Sequence, residues 1–289
     1  MTGSLFRHSN INILCSWIYY KDIMKPKLTR GLVDTPDGQI HFRSCGTGRP
    51  VLLLHQTPRS SDEFSEVLPL IDEKFWAIAM DSIGFGDSYR FGGKITIERL
   101  ATGVIEFTSA LKIESFSLVG HHTGMVVAIE VAASNPDKVE KLVLSGCPYI
   151  DEAERIKRKD RKVVDAYESR MDGLHLLELW NGRLPFYPQN RPDILDRFII
   201  DALKAGRNAV EGHLAVSRYR MEEKLPRITC PTLLLVGTAD PFAHPYVDKI
   251  KNQIRNLEVM EIKEGTVALV EQMPEAFAET IISFLSKSH

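Results

Sequence analysis

The segment Gly120-His121-His122-Thr123-Gly124 places two adjacent histidines between glycines, and its central residue is the strongest candidate for chemistry in the chain. The apolar run Phe116–Gly120 before it predicts a buried strand, and a helix is predicted over Met125–Ser134. A tight turn between a strand and a helix exposes its central side chain and directs free amides of the helix N-terminus at a ligand. The imidazole of His122 is therefore expected to act as a general acid or base, because histidine changes its protonation near neutral pH.

The elements around this turn alternate between strands and helices. The sequence predicts a β-hairpin over residues 31–44, strands at Pro50–His55, Phe75–Asp81, Val139–Ser145, Thr232–Gly237 and Glu258–Ile262, and helices at Ser61–Ile71, Ile97–Leu111 and Pro274–Leu285. This order predicts an α/β fold with a mostly parallel central sheet and helices on both faces.

Residues 149–225 interrupt this alternation. They contain no convincing strand, and amphipathic helices are predicted at Asp151–Met171, Leu174–Trp180, Pro192–Ala205 and Ala209–Glu222. An all-helical insertion between two strands predicts a lid over the carboxyl ends of the strands, where ligands of open α/β sheets bind. We expect residues 24–148 and 226–289 to form the core, residues 149–225 to form the lid, and residues 1–23 to be a poorly packed extension.

Four motifs, in this order, resemble those of the α/β-hydrolase superfamily of the type with a helical cap, over roughly Leu32–Leu285. His55-Gln56-Thr57-Pro58 is similar to the H-G-x-P turn of that family, and residues 81–88 (DSIGFGDS) are similar to its D-x-x-G-x-G-x-S loop. Gly120–Gly124 fits the nucleophile elbow G-x-S-x-G, and Gly237–Asp240 fits the strand end with the catalytic acid. The resemblance implies Asp240 as that acid, and an oxyanion hole made by the amides of Thr123 and of Gln56 or Thr57.

Two positions depart from the family pattern. His122 stands where the family has its nucleophilic serine, and Val267 stands where its general-base histidine occurs. No histidine lies between His244 and His289, so ordinary Ser-His-Asp acyl-enzyme chemistry is not supported.

One rearrangement accounts for both departures. An imidazole reaches further than a serine hydroxyl, and Val267 leaves vacant the space between the elbow and Asp240. We therefore expect His122 to donate a ring N–H to Asp240 and to present its other ring nitrogen to the pocket. Ligand binding without chemistry, direct nucleophilic attack and a purely structural role remain alternative interpretations of His122.

Five further residues are candidates for contact with a substrate: Arg59, His121, Trp180, His213 and Val267. Arg59 follows His55–Pro58, called here the oxyanion turn, and would suit a substrate carboxylate, although a solvated arginine at a helix start fits equally well. Trp180 and His213 lie on predicted lid helices, where aromatic side chains more often form the core of the lid.

The composition argues against several classes of partner. A net charge of −2 disfavours nucleic acid and anionic membranes. The four cysteines lack metal-binding spacing and no complete nucleotide-binding glycine motif occurs, so neither a metal nor a cofactor is expected. The run Ile11–Tyr20 is too short to span a bilayer and no signal-cleavage site follows it, which predicts a cytoplasmic protein. The sequence does not indicate an oligomeric state.

These features favour an enzyme that acts on a small carbonyl compound, such as an ester or a lactone, by His–Asp acid/base catalysis without a serine nucleophile. A lyase, isomerase or cyclase that uses the same site is the nearest alternative. The rival class is a degenerate hydrolase that only binds a ligand or a partner. A contact between His122 and Asp240 would favour the enzyme, and a His122 packed away from Asp240 would favour the binding protein.

Overall fold

The computed structural model describes residues 28–71, 74–146, 148–158 and 163–287, and the predicted extension at residues 1–23 lies outside them. The described residues form an eight-stranded sheet in the order β1-β2-β4-β3-β5-β6-β7-β8. Its strands are β1 (Thr29–Thr35), β2 (Gly38–Cys45), β3 (Arg49–Leu54), β4 (Phe75–Met80), β5 (Phe116–His121), β6 (Val139–Ser145), β7 (Thr232–Gly237) and β8 (Leu257–Ile262). The β1–β2 and β2–β4 pairs are antiparallel and the other pairs are parallel. The α/β fold predicted from the sequence is confirmed.

The central strands are apolar on both faces because helices cover both. Along β3, Leu52 and Leu54 belong to one buried cluster, whereas Val51 and Leu53 belong to another on the opposite face. This alternation explains why the central strands are nearly continuous apolar runs. The helices of the core are α1 (Leu68–Ile71), α2 (Ile97–Ala110), α3 (Thr123–Ser134), α8 (Val247–Lys251), α9 (Leu269–Gln272) and α10 (Pro274–Leu285).

Between β6 and β7 the described chain consists of helices joined by irregular segments and contains no strand. This helical insertion carries α4 (Glu152–Arg158), α5 (Leu174–Arg183), α6 (Pro192–Ala205) and α7 (Arg207–Arg218). The predicted helix Asp151–Met171 was wrong in its length, because residues 163–171 are not helical. Asp165 has a positive φ of 63°, and its carboxylate is bonded to Arg183 and His213, so tertiary contacts hold it outside a helix.

No helix within the described ranges combines the length and the apolar character that a bilayer span needs.

Candidate active site

The turn between β5 and α3 consists of His122 alone. Its backbone has φ 46° and ψ −111°, a strained conformation for a residue with a side chain. A Cβ at Gly120 would lie 2.4 Å from the carbonyl oxygen of Gly124, and a Cβ at Gly124 would lie 2.1 Å from that of Leu54. Both glycines are therefore required by close backbone packing, and together they expose His122 at the head of α3.

The contact that the sequence predicts between His122 and Asp240 is present. Nε2 of His122 lies 2.9 Å from Oδ2 of Asp240. The N–H on Nε2 does not point directly at Oδ2, so the two atoms are close but the angle of a regular hydrogen bond is not met. The other ring nitrogen, Nδ1, makes no hydrogen bond within the described part of the chain, and His122 lines a cavity.

Asp240 is held behind His122, just after β7. Its side chain is 1% exposed, and Oδ1 accepts a hydrogen bond from the amide of Phe242 at 2.9 Å. Burial alone would raise the pKa of Asp240, but His122 and the Phe242 amide outweigh it and lower the pKa below its ordinary value. Asp240 is therefore an ionised carboxylate that can orient the imidazole.

His121 does not reach the cavity, which corrects its prediction as a substrate-binding residue. The side chain is fully buried, with Nδ1 3.0 Å from Oγ of Ser145 and Nε2 3.0 Å from the carbonyl oxygen of Val267. The carbonyl can only accept, so Nε2 carries the proton and Nδ1 accepts from Ser145. Burial lowers the pKa of His121 to about 4, although the nearby Glu63 opposes this shift. His121 is thus a neutral core residue behind the elbow.

Two of the predicted oxyanion donors have amides that are unpaired within the described part of the chain. The N–H groups of Thr57 and Thr123 donate to no acceptor among the residues described, and both residues line the cavity. The amide of Gln56 is not free, which corrects its prediction as an oxyanion donor. The backbone N–H of Gln56 donates to Oε2 of Glu63 at 2.9 Å. The side-chain Nε2 of Gln56 donates to Oε1 of Glu63 at 2.6 Å.

A cavity of about 600 Å³ lies between the elbow and the helical insertion. The predicted site residues that line it are Gln56, Thr57, His122, Thr123, His213 and Val267. Apolar side chains such as Ile150, Leu214 and Phe242 form much of its wall, and Arg183 adds a charged group. This volume and mixed lining are typical of small-molecule sites.

The structure places Arg59 and Trp180 elsewhere, which corrects both predictions. Arg59 is fully buried, and its guanidinium donates to Asp201 at 2.9 Å and to Glu271. A charge without contact to water needs such carboxylate partners, so Arg59 is not available to a substrate. Trp180 lines a separate shallow hollow with Leu177 and Ile200.

Sequence reasoning named His213 but missed its partners, Asp165 and Arg183. Nε2 of His213 lies 2.7 Å from Oδ2 of Asp165, and Nε of Arg183 donates to Oδ1 at 2.7 Å. The three residues lie on two helices and one irregular segment, so no local spacing indicates them.

One group of side chains within the described ranges has the spacing of metal ligands: His41, Asp81 and Asp87. Oδ2 of Asp81 already accepts from Nδ1 of His41 at 2.9 Å and from the amide of Asp87 at 2.7 Å. Asp87 also receives a hydrogen bond from Lys204 at 2.5 Å. These contacts satisfy the ligand atoms without an ion.

Comparison with known proteins identifies the family of this chain. Residues 49–271 match the family model described as alpha/beta hydrolase fold. A soluble epoxide hydrolase from Corynebacterium sp. (strain C12) is 36% identical over 106 residues, which are 37% of this chain and 37% of that protein, so the chain spans about a third of that relative's length. Haloalkane dehalogenase 2 from Mycobacterium tuberculosis is 31% identical over 270 residues, covering 86% of this chain and 92% of that protein. The enol-lactonase from Burkholderia xenovorans LB400 has a similar structure, with a TM-score of 0.74 at 18% identity over 89% of this chain and 100% of that one.

Proposed function

We propose a function for this chain from one premise: it belongs to the α/β-hydrolase family. An epoxide hydrolase and a haloalkane dehalogenase are among its relatives and an enol-lactonase among its structural neighbours, and we infer that this chain hydrolyses a small carbonyl compound, an ester or a lactone. We assign catalysis to acid/base chemistry by His122 with Asp240, without a serine nucleophile and without a cofactor. The observation that carries the proposal is the 2.9 Å contact between Nε2 of His122 and Oδ2 of Asp240 beside the cavity.

The proton transfer follows from the two nitrogens of the ring. Asp240 holds the proton on Nε2, which leaves the lone pair on Nδ1 facing the cavity. Nδ1 removes a proton from a water molecule as the water oxygen attacks the carbonyl carbon of the substrate. A positioned base of this kind contributes about 10²–10⁴-fold in rate.

The charge that develops on the carbonyl oxygen needs donors already in place. The free amides of Thr57 and Thr123 are suited to this role, and Thr123 opens α3, so the helix dipole adds to the stabilisation. Because the backbone N–H of Gln56 already donates to Glu63, the donor from the oxyanion turn is the amide of Thr57.

The helical insertion is proposed to be the lid of this site, with residues 149–225 closing over a core of residues 24–148 and 226–289. Apolar residues of the insertion, such as Ile150 and Leu214, line the cavity and favour a partly apolar substrate. Enclosure by these side chains also limits access of bulk water, which strengthens the interactions with the oxyanion. We expect this enzyme to work in the cytoplasm, with a small molecule as its substrate.

The proposal is tested by turnover of a panel of small esters and lactones. The variant His122→Asn is the first choice, because asparagine tolerates the positive φ of the elbow. We expect kcat/KM to fall by about 100-fold or more in His122→Asn and strongly in Asp240→Asn. His175→Gln is the matched control, since His175 lies in the insertion but outside the cavity lining. Equal turnover by the wild type and His122→Asn would overturn the assignment of His122.

A further inference from the structure

A second histidine–aspartate pair faces the same cavity from the helical insertion. His213 on α7 lines the cavity together with His122, and its Nε2 lies 2.7 Å from Oδ2 of Asp165. The side chain of Asp165 is 3% exposed, whereas that of His213 is 24% exposed. The pair thus repeats the arrangement at the elbow, with a buried carboxylate behind an imidazole that reaches the cavity.

Asp165 is fixed in place by Arg183. Nε of Arg183 donates to Oδ1 at 2.7 Å, and a second guanidinium nitrogen contacts Oδ2. The guanidinium itself lies over the ring of Phe198, with 4.9 Å between Cζ and the ring centroid. Burial would raise the pKa of Asp165, but Arg183 and His213 outweigh it and hold the pKa well below its ordinary range. An ionised, immobile carboxylate therefore accepts the N–H of His213.

The second ring nitrogen of His213 is left for a ligand. Nε2 donates its proton to Asp165 at 2.7 Å, so the nitrogen of Arg183 that lies 3.3 Å away, which can only donate, is a neighbour and not a hydrogen-bond partner. Nδ1 makes no hydrogen bond within the described ranges, and the residue lines the cavity. Nδ1 is consequently the atom of His213 that can exchange a proton with a bound molecule.

The backbone of α7 brings His213 to the oxyanion turn. A Cβ at the preceding residue, Gly212, would lie 2.6 Å from Oγ1 and 2.7 Å from Cγ2 of Thr57. The helix therefore rests directly on the residue whose free amide is assigned to the substrate oxygen. His213 follows Gly212 in α7 and lines the same cavity as Thr57 and His122.

We propose that His213 is the catalytic acid of a two-histidine mechanism, with Asp165 and Arg183 as positioning residues. This proposal rests on the function proposed above. His122 takes one proton from water while a bond forms between the water oxygen and the carbonyl carbon. The tetrahedral intermediate then collapses, and the bond from carbon to the leaving oxygen breaks. His213 takes part as an imidazolium: it gives the proton on Nδ1 to the leaving oxygen and keeps the proton on Nε2 towards Asp165. The products are a carboxylic acid and an alcohol, and the two imidazoles regain their starting protonation by exchange with solvent.

The proposal selects a class of substrate. A nitrophenolate leaves readily without a proton, whereas an alkoxide leaves only when it is protonated. An acid held in the lid is therefore of use for alkyl esters and lactones and of little use for activated aryl esters. We assign alkyl esters or lactones as the substrate class of this cavity.

The test compares two esters that share one acyl group, a nitrophenyl ester and an alkyl ester. The variant His213→Gln keeps a side-chain N–H that can donate to Asp165, so the contact between Asp165 and Arg183 can persist. We expect His213→Gln to lose about 100-fold in kcat/KM on the alkyl ester and to change little on the nitrophenyl ester. Asp165→Asn should lose activity with the same preference, and the double variant should lose no more than His213→Gln alone.

Each outcome has one meaning. Equal losses on both esters, or no loss on either, would overturn the lid acid and leave the assignment of His122 standing. A selective loss in His213→Gln together with full activity in His122→Asn would overturn the proposed base while supporting the lid acid. A wild type without turnover of either ester would overturn both. Thermal unfolding of each variant identifies any loss that is due to misfolding.

Discussion

Gly146 lies against the imidazole of His122 so closely that a Cβ at position 146 would be 2.8 Å from both Cδ2 and Nε2. Gly146 directly follows β6 and has a φ of 63°, a conformation that favours glycine. Position 146 therefore needs glycine for two reasons: its backbone conformation, and the space that the imidazole of His122 occupies where a Cβ would be. The space is what allows the long side chain of His122 to lie beside Asp240.

We expect Gly146→Ala to reduce activity by about 100-fold, because the added methyl group displaces the ring of the proposed base from Asp240. Gly173→Ala is a matched control, since Gly173 has a φ of 73° and no atom within 4 Å of its added Cβ. Both variants carry backbone strain of about 1–2 kcal/mol, but Gly173→Ala should keep full turnover. Equal turnover in the two variants would show that the space above Gly146 is not needed for catalysis.

The neutral state of His121 predicts a specific dependence of stability on pH. Its pKa is lowered by burial to about 4, so the unfolded chain binds this proton more tightly than the folded protein. Stability then rises with pH across the window between the folded and unfolded pKa values, and it is lost as the pH falls. Between pH 6.5 and pH 5 this group alone should remove about 2 kcal/mol from the free energy of unfolding.

Denaturant unfolding of the wild type and of His121→Gln at several pH values measures this contribution. The variant will differ in absolute stability, because its contacts with Ser145 and Val267 change. Only the difference in slope between the two proteins reports the proton. Parallel curves for the wild type and His121→Gln would contradict a buried neutral histidine.

Arg59 ties the helical insertion to the core through buried carboxylates. It contacts Asp201 on α6 and Glu271 on α9, and burial raises the pKa of Glu271 to about 7 despite that contact. Arg59→Met should therefore lower the free energy of unfolding by about 3–5 kcal/mol, because it removes the cation that pairs with the buried Asp201 and leaves Glu271 only Arg197, 3.2 Å away. The loss should be smaller below pH 7, where Glu271 takes up a proton and needs no partner.

The control is an exposed pair on the same insertion. Arg191 and Asp193 are 2.7 Å apart, but their side chains are 38% and 55% exposed. Asp193→Asn should change the free energy of unfolding by less than about 1 kcal/mol, because solvent screens the pair. Chemical denaturation of both variants at pH 8 and pH 5.5 checks the contrast. A similar effect of the two substitutions would contradict a stabilising role for the buried network.

The parts of the site that could be predicted are those set by local sequence. The elbow follows from Gly120 and Gly124. A Cβ at Gly120 would collide with the backbone of Gly124, and a Cβ at Gly124 would collide with the backbone at the end of β3. Asp240 was implied by the resemblance to the α/β-hydrolase family, which places its acid just after the strand that is β7 here. The approach of His122 to Asp240 followed from comparing side-chain lengths, once Val267 was recognised at the histidine position.

The parts that could not be predicted depend on partners far along the chain. Arg59 was expected near a substrate, but its partners are 142 and 212 residues away, and no local pattern reveals them. The charge pattern of residues 151–171 suits a helix, yet the bonds of Asp165 to Arg183 and His213 outweigh that propensity. Only the assembled fold brings such residues together.

The fit of α7 against the oxyanion turn gives the last prediction. Gly212→Ala should lower kcat/KM by at least about 10-fold and stability by about 1–3 kcal/mol, because its Cβ would overlap the buried, β-branched side chain of Thr57. Gly182→Ala is the control on a helix of the same insertion, since its Cβ would meet no atom within 4 Å. That change should leave turnover intact and stabilise by up to about 1 kcal/mol through helix propensity alone. If Gly212→Ala behaved like Gly182→Ala, the insertion would not rest on Thr57, and His213 would lose its assigned place beside the substrate.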